Sequence, residues 1–253
     1  MKSVTYKAEN GLEVTFDCCS DLLCEYLDTT SLQGVFATST LLGSDGQVTT
    51  SALIGAKTVV GQFAVDIIDE DRRQKTLDYI KKVFNPKNKK NKGKLIVRSK
   101  NDYEIECRPS AVPQFKRDRN VSYIYRFDVD FVCDYPYFKQ CGVITKPLVN
   151  GDNVIFSASE IDTPVEIYIS DCTGGAIINL ENANIEMLSC DNATVSTKTF
   201  TATDDSGNDV TNKINVSSNI EDFKLHYGKN NIFLAVNSGG AVLRYYYLTT
   251  GVI

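Results

Sequence analysis

Residues 123–133 read YIYRFDVDFVC, and Tyr123, Tyr125, Phe127, Val129 and Phe131 alternate with Arg126, Asp128 and Asp130. Strand side chains point to opposite faces with a period of two, so this run predicts a strand with one apolar and one charged face. It ends in CDYPYF, where Tyr135, Tyr137 and Phe138 crowd around Pro136. Proline removes a ladder donor and is expected to end the strand. A strand end of this kind suits docking on copies of the same chain better than catalysis.

Similar runs fill the first half. LEVTF, KTVVGQFAVDII, GKLIVRSK and YEIECRP read as strands, with Asn101-Asp102 as a hairpin turn. One segment breaks the pattern. DEDRRQKTLDYIKKVFNP opens with acids and closes with lysines, and Leu77, Ile80 and Phe84 recur at helical spacing with Val83 beside them. Asn85-Pro86 is expected to stop this helix. The stretch 30–55, rich in Thr, Ser and Gly, has no strong periodicity and reads as an extended arm or loose hairpin that a partner orders.

The texture changes near Lys146-Pro147. Beyond it, NVIFSAS, PVEIYISDC, AIINLENANIEMLSC, FKLHYGKNNIFLAVNSG and AVLRYYYLTTGVI are separated by turn signals at a spacing of about 8–12 residues, the pattern of a β-sandwich or jelly roll. The expected fold class is therefore mainly β: an α+β domain with one helix over 1–146, then a β-sandwich domain over 147–253. The charge divides at the same place. Residues 147–253 hold five Lys/Arg against thirteen Asp/Glu, while Lys81–Lys100 holds nine Lys/Arg and no acid. That basic run suits a solvated helix end and loop, an acidic neighbour, or a channel carrying DNA.

No run of about 18 apolar residues is present, so no membrane-spanning helix is expected. The opening MKSVTYKAENGLEV lacks the apolar core of a secretory signal, so the chain is expected to be made in a cytosol and to stay there until released. The eight cysteines are scattered, without a C-x-x-C pair, and are expected to be free, small, buried hydrophobes. With His226 as the only imidazole, a zinc site or a nucleophile–histidine pair has little to draw on. His226 is read as a strand-end residue. The carboxylate groups Asp69-Glu70-Asp71, Asp204-Asp205 and Glu221-Asp222 fall at a helix start or in turns, which accounts for them without catalysis. DDSGND lacks the spacing of a calcium loop, and GSDGQV lacks the lysine of a phosphate loop. The chain has no tryptophan, which weakens a sugar-stacking role; Tyr245, Tyr246 and Tyr247 remain possible stacking residues, with one or two of them expected in the core. No catalytic, cofactor-binding or metal-binding residue is assigned.

The order of these segments, GQVTTSALIG, a strand, a helix ending in FNPKN, KLIVRS, YEIECRP and a long strand closing in DYPYF, followed by a sandwich with PVEIYI, FKLHYGKNNI and VLRYYYLTTGV, resembles the distal tail proteins of long-tailed bacteriophages. The resemblance covers nearly the whole chain. It implies a structural protein and not an enzyme, with an N-terminal domain that forms a hexameric ring continuing the tail tube. The C-terminal domain would be a galectin-like sandwich. The implied partners are further copies of itself, the tail-tube protein, the tail-hub or tip protein, a receptor-binding or side-fibre protein and, in some cases, a host glycan, with no membrane insertion. The implied location is the virion tail tip, after assembly in the bacterial cytoplasm. The contact residues expected on this reading are Leu41, Leu42, Leu53, Ile54, Lys57, Tyr135, Tyr137 and Phe138. Lys57 stands where many relatives carry an arginine, and lysine cannot make the bidentate fork of a guanidinium. The competing reading is a monomeric carbohydrate-binding β-sandwich protein, with a cell-wall glycan hydrolase as a third.

Overall fold

The computed structural model describes residues 3–32, 34–40, 47–87, 93–171, 173–181 and 183–252. The chain divides into two compact units, Met1–Gln140 with Thr250–Ile253, and Cys141–Thr249. The seam thus precedes the expected 146/147 boundary, because Ile144–Leu148 is itself a strand of the second unit, paired from Ile144↔Tyr245 to Leu148↔Ala241. The division also returns residues 250–253 to the first unit, which nothing in the sequence indicates.

The first unit contains β1 (Ser3–Lys7), β2 (Glu13–Asp17), β3 (Leu22–Asp28), β4 (Gly34–Thr40), β5 (Gln47–Ile54), β6 (Lys57–Asp66), α1 (Glu70–Val83), β7 (Gly93–Arg98), β8 (Asp102–Pro109), β9 (Lys116–Arg117), β10 (Ile124–Cys133) and β11 (Phe138–Gln140). The main sheet runs β11-β8-β7-β1-β2-β3-β6-β10-β9, and an additional β8–β10 pairing closes it on itself as a barrel. In β10, Phe127, Val129, Phe131 and Cys133 are buried while Arg126, Asp128 and Asp130 are exposed, as the alternation predicts. β10 ends at Cys133, where its pairing with β6 runs out at Lys57, three residues before Pro136.

α1 buries Leu77, Ile80 and Val83 in the same cluster as Val4, Tyr6, Phe16, Phe63, Phe127 and Phe131. Phe84 follows the helix and stacks on Tyr6 with ring centroids 5.1 Å apart; Phe16 and Phe63 are 4.3 Å apart. These rings form the centre of the barrel core, where each large side chain removes its apolar surface from water. Asp69 caps the helix by accepting from Arg72 N at 2.6 Å. Asp69→Ala is expected to destabilise the unit by about 1 kcal/mol, read as a lower urea midpoint with an unchanged slope.

Besides the short β9 and β11, two strands, β1 and β3, are not legible as strands in the sequence. β1 reads SVTYK and β3 reads LLCEYLD. β1 has only five residues, and β3 carries a register shift between Cys24 and Tyr26 that breaks its alternation.

The second unit contains β12 (Ile144–Leu148), β13 (Gly151–Ser157), β14 (Thr163–Pro164), β15 (Glu166–Ser170), β16 (Ala176–Leu180), β17 (Ala183–Met187), β18 (Ala193–Ser196), β19 (Thr201–Thr203), β20 (Lys224–Leu225), β21 (Gly228–Val236) and β22 (Gly240–Tyr245). Its two larger sheets run β12-β22-β15-β18-β19 and β13-β21-β16-β17, and β14 pairs with β20. Inward residues of both larger sheets, among them Ile167, Ile169, Leu243, Ile178, Ile185, Ile232 and Leu234, share one core, which makes the unit a sandwich. Two buried asparagines hold neighbouring turns. Asn153 accepts from Val149 N at 2.8 Å and donates to Val149 O at 2.7 Å; Asn230 does the same with His226 N at 2.8 Å and His226 O at 2.9 Å.

Among the described residues, no helix is long and apolar enough to cross a membrane. The described cysteines are free, yet Cys18, Cys19 and Cys141 are exposed, so the expectation of buried thiols fails for these. Cys18 and Cys19 occupy a surface turn where the strand pattern is interrupted.

Candidate functional surfaces

β4 and β5 form a two-stranded ribbon paired from Gly34↔Ile54 to Thr40↔Gln47, outside the barrel sheet. Within the 30–55 stretch, residues 34–40 and 47–54 are therefore antiparallel partners. The irregular pattern has a cause in the register shift between Ala37 and Thr38. Val35 is 54% exposed and Ile54 43% exposed. Val35 opposes Leu53 while Ile54 opposes Gly34, so Val35 and Ile54 face opposite sides of the ribbon. A lone two-stranded ribbon is at best marginally stable, and one showing apolar side chains on both faces gains from being covered.

The expected contact residues fall into distinct settings. Leu41 and Leu42 lie outside the described residues, and only the backbone of Leu53 is described. Ile54 is on the surface. Lys57 is fully buried at the start of β6, and its Nζ donates to the backbone oxygens of Thr29 and Thr250. The same ammonium lies 5.2 Å from the centre of the Phe138 ring, which is also fully buried. Lys57 and Phe138, both expected as contact residues, are thus brought together as an internal clamp and are buried within this chain. Tyr135 and Tyr137 pack edge to face with centroids 5.1 Å apart, Tyr135 remaining 38% exposed.

The clamp holds residues 250–252 against the end of β3. Thr29 Oγ1 donates to Val252 O at 2.7 Å, and Val252 N donates back to Thr29 Oγ1 at 3.0 Å. Burial is the main cause that lowers the Lys57 pKa below its ordinary value. Beside it, Asp28 accepts from Ser31 Oγ at 2.5 Å, Thr30 N at 2.9 Å and Thr30 Oγ1 at 3.0 Å. These bonds, that from the Ser31 hydroxyl first, lower its pKa from 3.8 to about 2. The folded value lies below the unfolded one, so the stabilisation is complete well above pH 3.8 and is lost as pH falls through about 2. Asp28 is largely solvated, which keeps the effect modest. Urea midpoints measured from pH 5 down to about 2 are expected to fall less steeply in Asp28→Asn than in the parent chain.

In the second unit, the outer face of the β13-β21-β16-β17 sheet shows Val154, Phe156, Phe233 and Ile177 at exposures of 50%, 70%, 42% and 41%. Tyr227, one residue before β21, is 75% exposed. Sequence reasoning missed Phe156 and Phe233, although the alternation in NVIFSAS and NNIFLAV places them opposite the buried Ile155, Ile232 and Leu234. His226 Nδ1 lies 2.7 Å from Asp162 Oδ1 on the surface, and among the described residues no hydroxyl or thiol is hydrogen-bonded to the ring. Asp204 accepts from Ser206 N, Asn208 N and Asn208 Nδ2 at 2.8–2.9 Å, so it orders its own loop. Tyr245 is buried and donates to Phe156 O at 3.2 Å. The described cations of the basic run are partly neutralised: Lys81 meets Asp78 at 3.5 Å, Lys94 meets Glu104 at 3.3 Å and Arg98 meets Asp102 at 3.5 Å.

A barrel closed over one helix, an outlying apolar ribbon and a sandwich joined in this order match a known architecture. The crystal structure of the phage SPP1 Dit protein, described as a paradigm of hub adsorption apparatus in phages infecting Gram-positive hosts, superposes with a TM-score of 0.76. The match covers 97% of this chain and 99% of that one at 11% identity. The chain has the distal-tail fold. A structure of the phage P2 baseplate in its calcium-activated conformation is similar at a TM-score of 0.50 and 9% identity, covering 100% of both chains. No family model and no curated protein matches the sequence. The distal-tail fold therefore rests on three-dimensional similarity, and it accounts for both the barrel and the sandwich.

Proposed function

We propose that this chain is a structural distal tail protein of a phage or phage-like particle. Six copies form a ring through their first units, joining the tail tube to the tip, and the second units carry the receptor-binding or side-fibre protein. The observation that carries this reading is the β4–β5 ribbon, which shows Val35 and Ile54 to solvent on opposite faces. A heterologous contact that closes by rotation needs only complementary patches, and such a ribbon supplies one. The outer sheet face with Val154, Phe156, Phe233 and Ile177 is the platform for the attached protein. Assembly takes place in the host cytoplasm and the finished protein resides at the tail tip. No catalytic step is assigned to it.

Immunogold labelling of particles from a producing host, with antibody against this chain, tests the assignment. Label is expected at the end of the tail distal to the head; label on the head, or on no part of the particle, overturns it. Exposed Phe156 and Tyr227 favour a second reading for the sandwich, the stacking of a host glycan. A glycan array probed with the full chain and with Phe156→Ala checks it: binding by the parent that the variant loses supports sugar recognition, and equal signals refute it.

A further inference from the structure

The pairing that closes the barrel is short. β8 and β10 meet at Phe131↔Pro109 and Val132↔Arg108. One further step of that antiparallel register sets Cys133 opposite Cys107. Both cysteines are free, and both are buried, Cys107 at 4% exposure and Cys133 at 0%. Both belong to the same buried cluster, and the Cys133 thiol donates to Phe131 O at 3.7 Å. Residues opposed across antiparallel strands have Cα atoms about 4.5–5.5 Å apart, inside the range that a disulfide spans. On the other side, Lys57 opposes Cys133 in the β6–β10 pairing. Lys57, Cys133 and Cys107 therefore form a row across β6, β10 and β8.

We infer that Cys107 and Cys133 are a latent cross-strand disulfide, a covalent staple for the seam that closes the barrel. In a reducing cytosol the pair remains a dithiol. Outside the cell, a small disulfide such as oxidised glutathione converts it. The Cys133 thiolate attacks one sulfur of the oxidant, and one glutathione thiolate leaves. Cys107 gives its proton to solvent and attacks the Cys133 sulfur of the mixed disulfide, and the second glutathione thiolate leaves. The two protein thiols lose two protons and two electrons, and the oxidant is reduced to two thiols. Burial pushes the Cys107 thiol well up, so exchange waits on local opening of the two-pair seam. That the chain meets an oxidising milieu rests on the virion reading; the geometry of the pair does not.

The full chain is incubated with oxidised glutathione near neutral pH, alkylated under denaturing conditions and mapped by mass spectrometry without reduction. A peptide pair joined through Cys107 and Cys133 is expected, together with a thermal midpoint several degrees above that of the reduced chain. A variant carrying Cys18→Ser, Cys19→Ser and Cys141→Ser is expected to retain both results, because it leaves the seam untouched. Cys133→Ala is expected to lose the linked peptides. Recovery of Cys107 and Cys133 as alkylated thiols in the parent chain, their linkage only to other cysteines, or a staple that lowers the midpoint overturns the inference. The readout requires no ring, so it fails or succeeds separately from the assembly proposal.

Discussion

Replacing Lys57 with alanine is expected to destabilise the first unit by about 3–5 kcal/mol. Lys57 is fully buried, and its ammonium is the donor to the Thr29 and Thr250 backbone oxygens. Alanine removes the donor to both oxygens, at about 1–3 kcal/mol for each buried bond lost, and opens a cavity beside Phe138. Lys57→Met separates the two contributions. It fills most of the volume and removes the cost of burying a charge, yet still lacks the donor to the two oxygens, so a loss of about 2 kcal/mol is expected. Urea denaturation followed through the first unit's tyrosines reads both. Hydrogen exchange adds a local test, because residues 250–252 are held through the same clamp. Their amides are expected to exchange faster in either variant. Protection equal to the parent's would show that Lys57 does not secure this segment.

The second large effect is on assembly. Val35→Asp combined with Ile54→Asp is expected to weaken ring formation by at least about 100-fold, since each places an unpaired carboxylate in a contact that must lose its water. Both positions are exposed in the single chain, so its own unfolding free energy is expected to change by no more than about 0.5 kcal/mol. The pairing of these results matters. A variant that stays folded and fails to assemble assigns the ribbon to the contact between copies. Undiminished assembly would place that contact elsewhere.

Much of the fold is legible where the local pattern and the tertiary fate agree. YIYRFDVDFVC has its alternation because one face of β10 lines the barrel and the other meets water. The helix is legible because its charges, its apolar spacing and its Pro86 stop all agree. Barrel closure is not legible, because it depends on β8 meeting β10 at Phe131↔Pro109 and Val132↔Arg108, a long-range register that no local pattern encodes. The return of residues 250–252 is hidden for the same reason: Thr29 and Val252 are bonded across 223 positions of sequence. Lys57 is the instructive residue among the expected contacts. A lysine flanked by a glycine-alanine turn and a valine run looks like a surface group, and only the two backbone oxygens brought to it by distant segments make its burial tolerable. Phe138 illustrates the converse, an aromatic near a domain boundary that packs inward. Ile54 and Val35 needed the ribbon register before their opposite orientations could be seen.

The central claim is that the first unit is completed by copies of itself. Light scattering on the purified chain over a rising concentration series, combined with hydrogen exchange on the β4–β5 ribbon, tests it most directly. The account predicts a species at six times 28.1 kDa that grows with concentration, with ribbon amides becoming protected as it forms. A mass that stays at 28.1 kDa across the series, with the ribbon exchanging freely throughout, contradicts it.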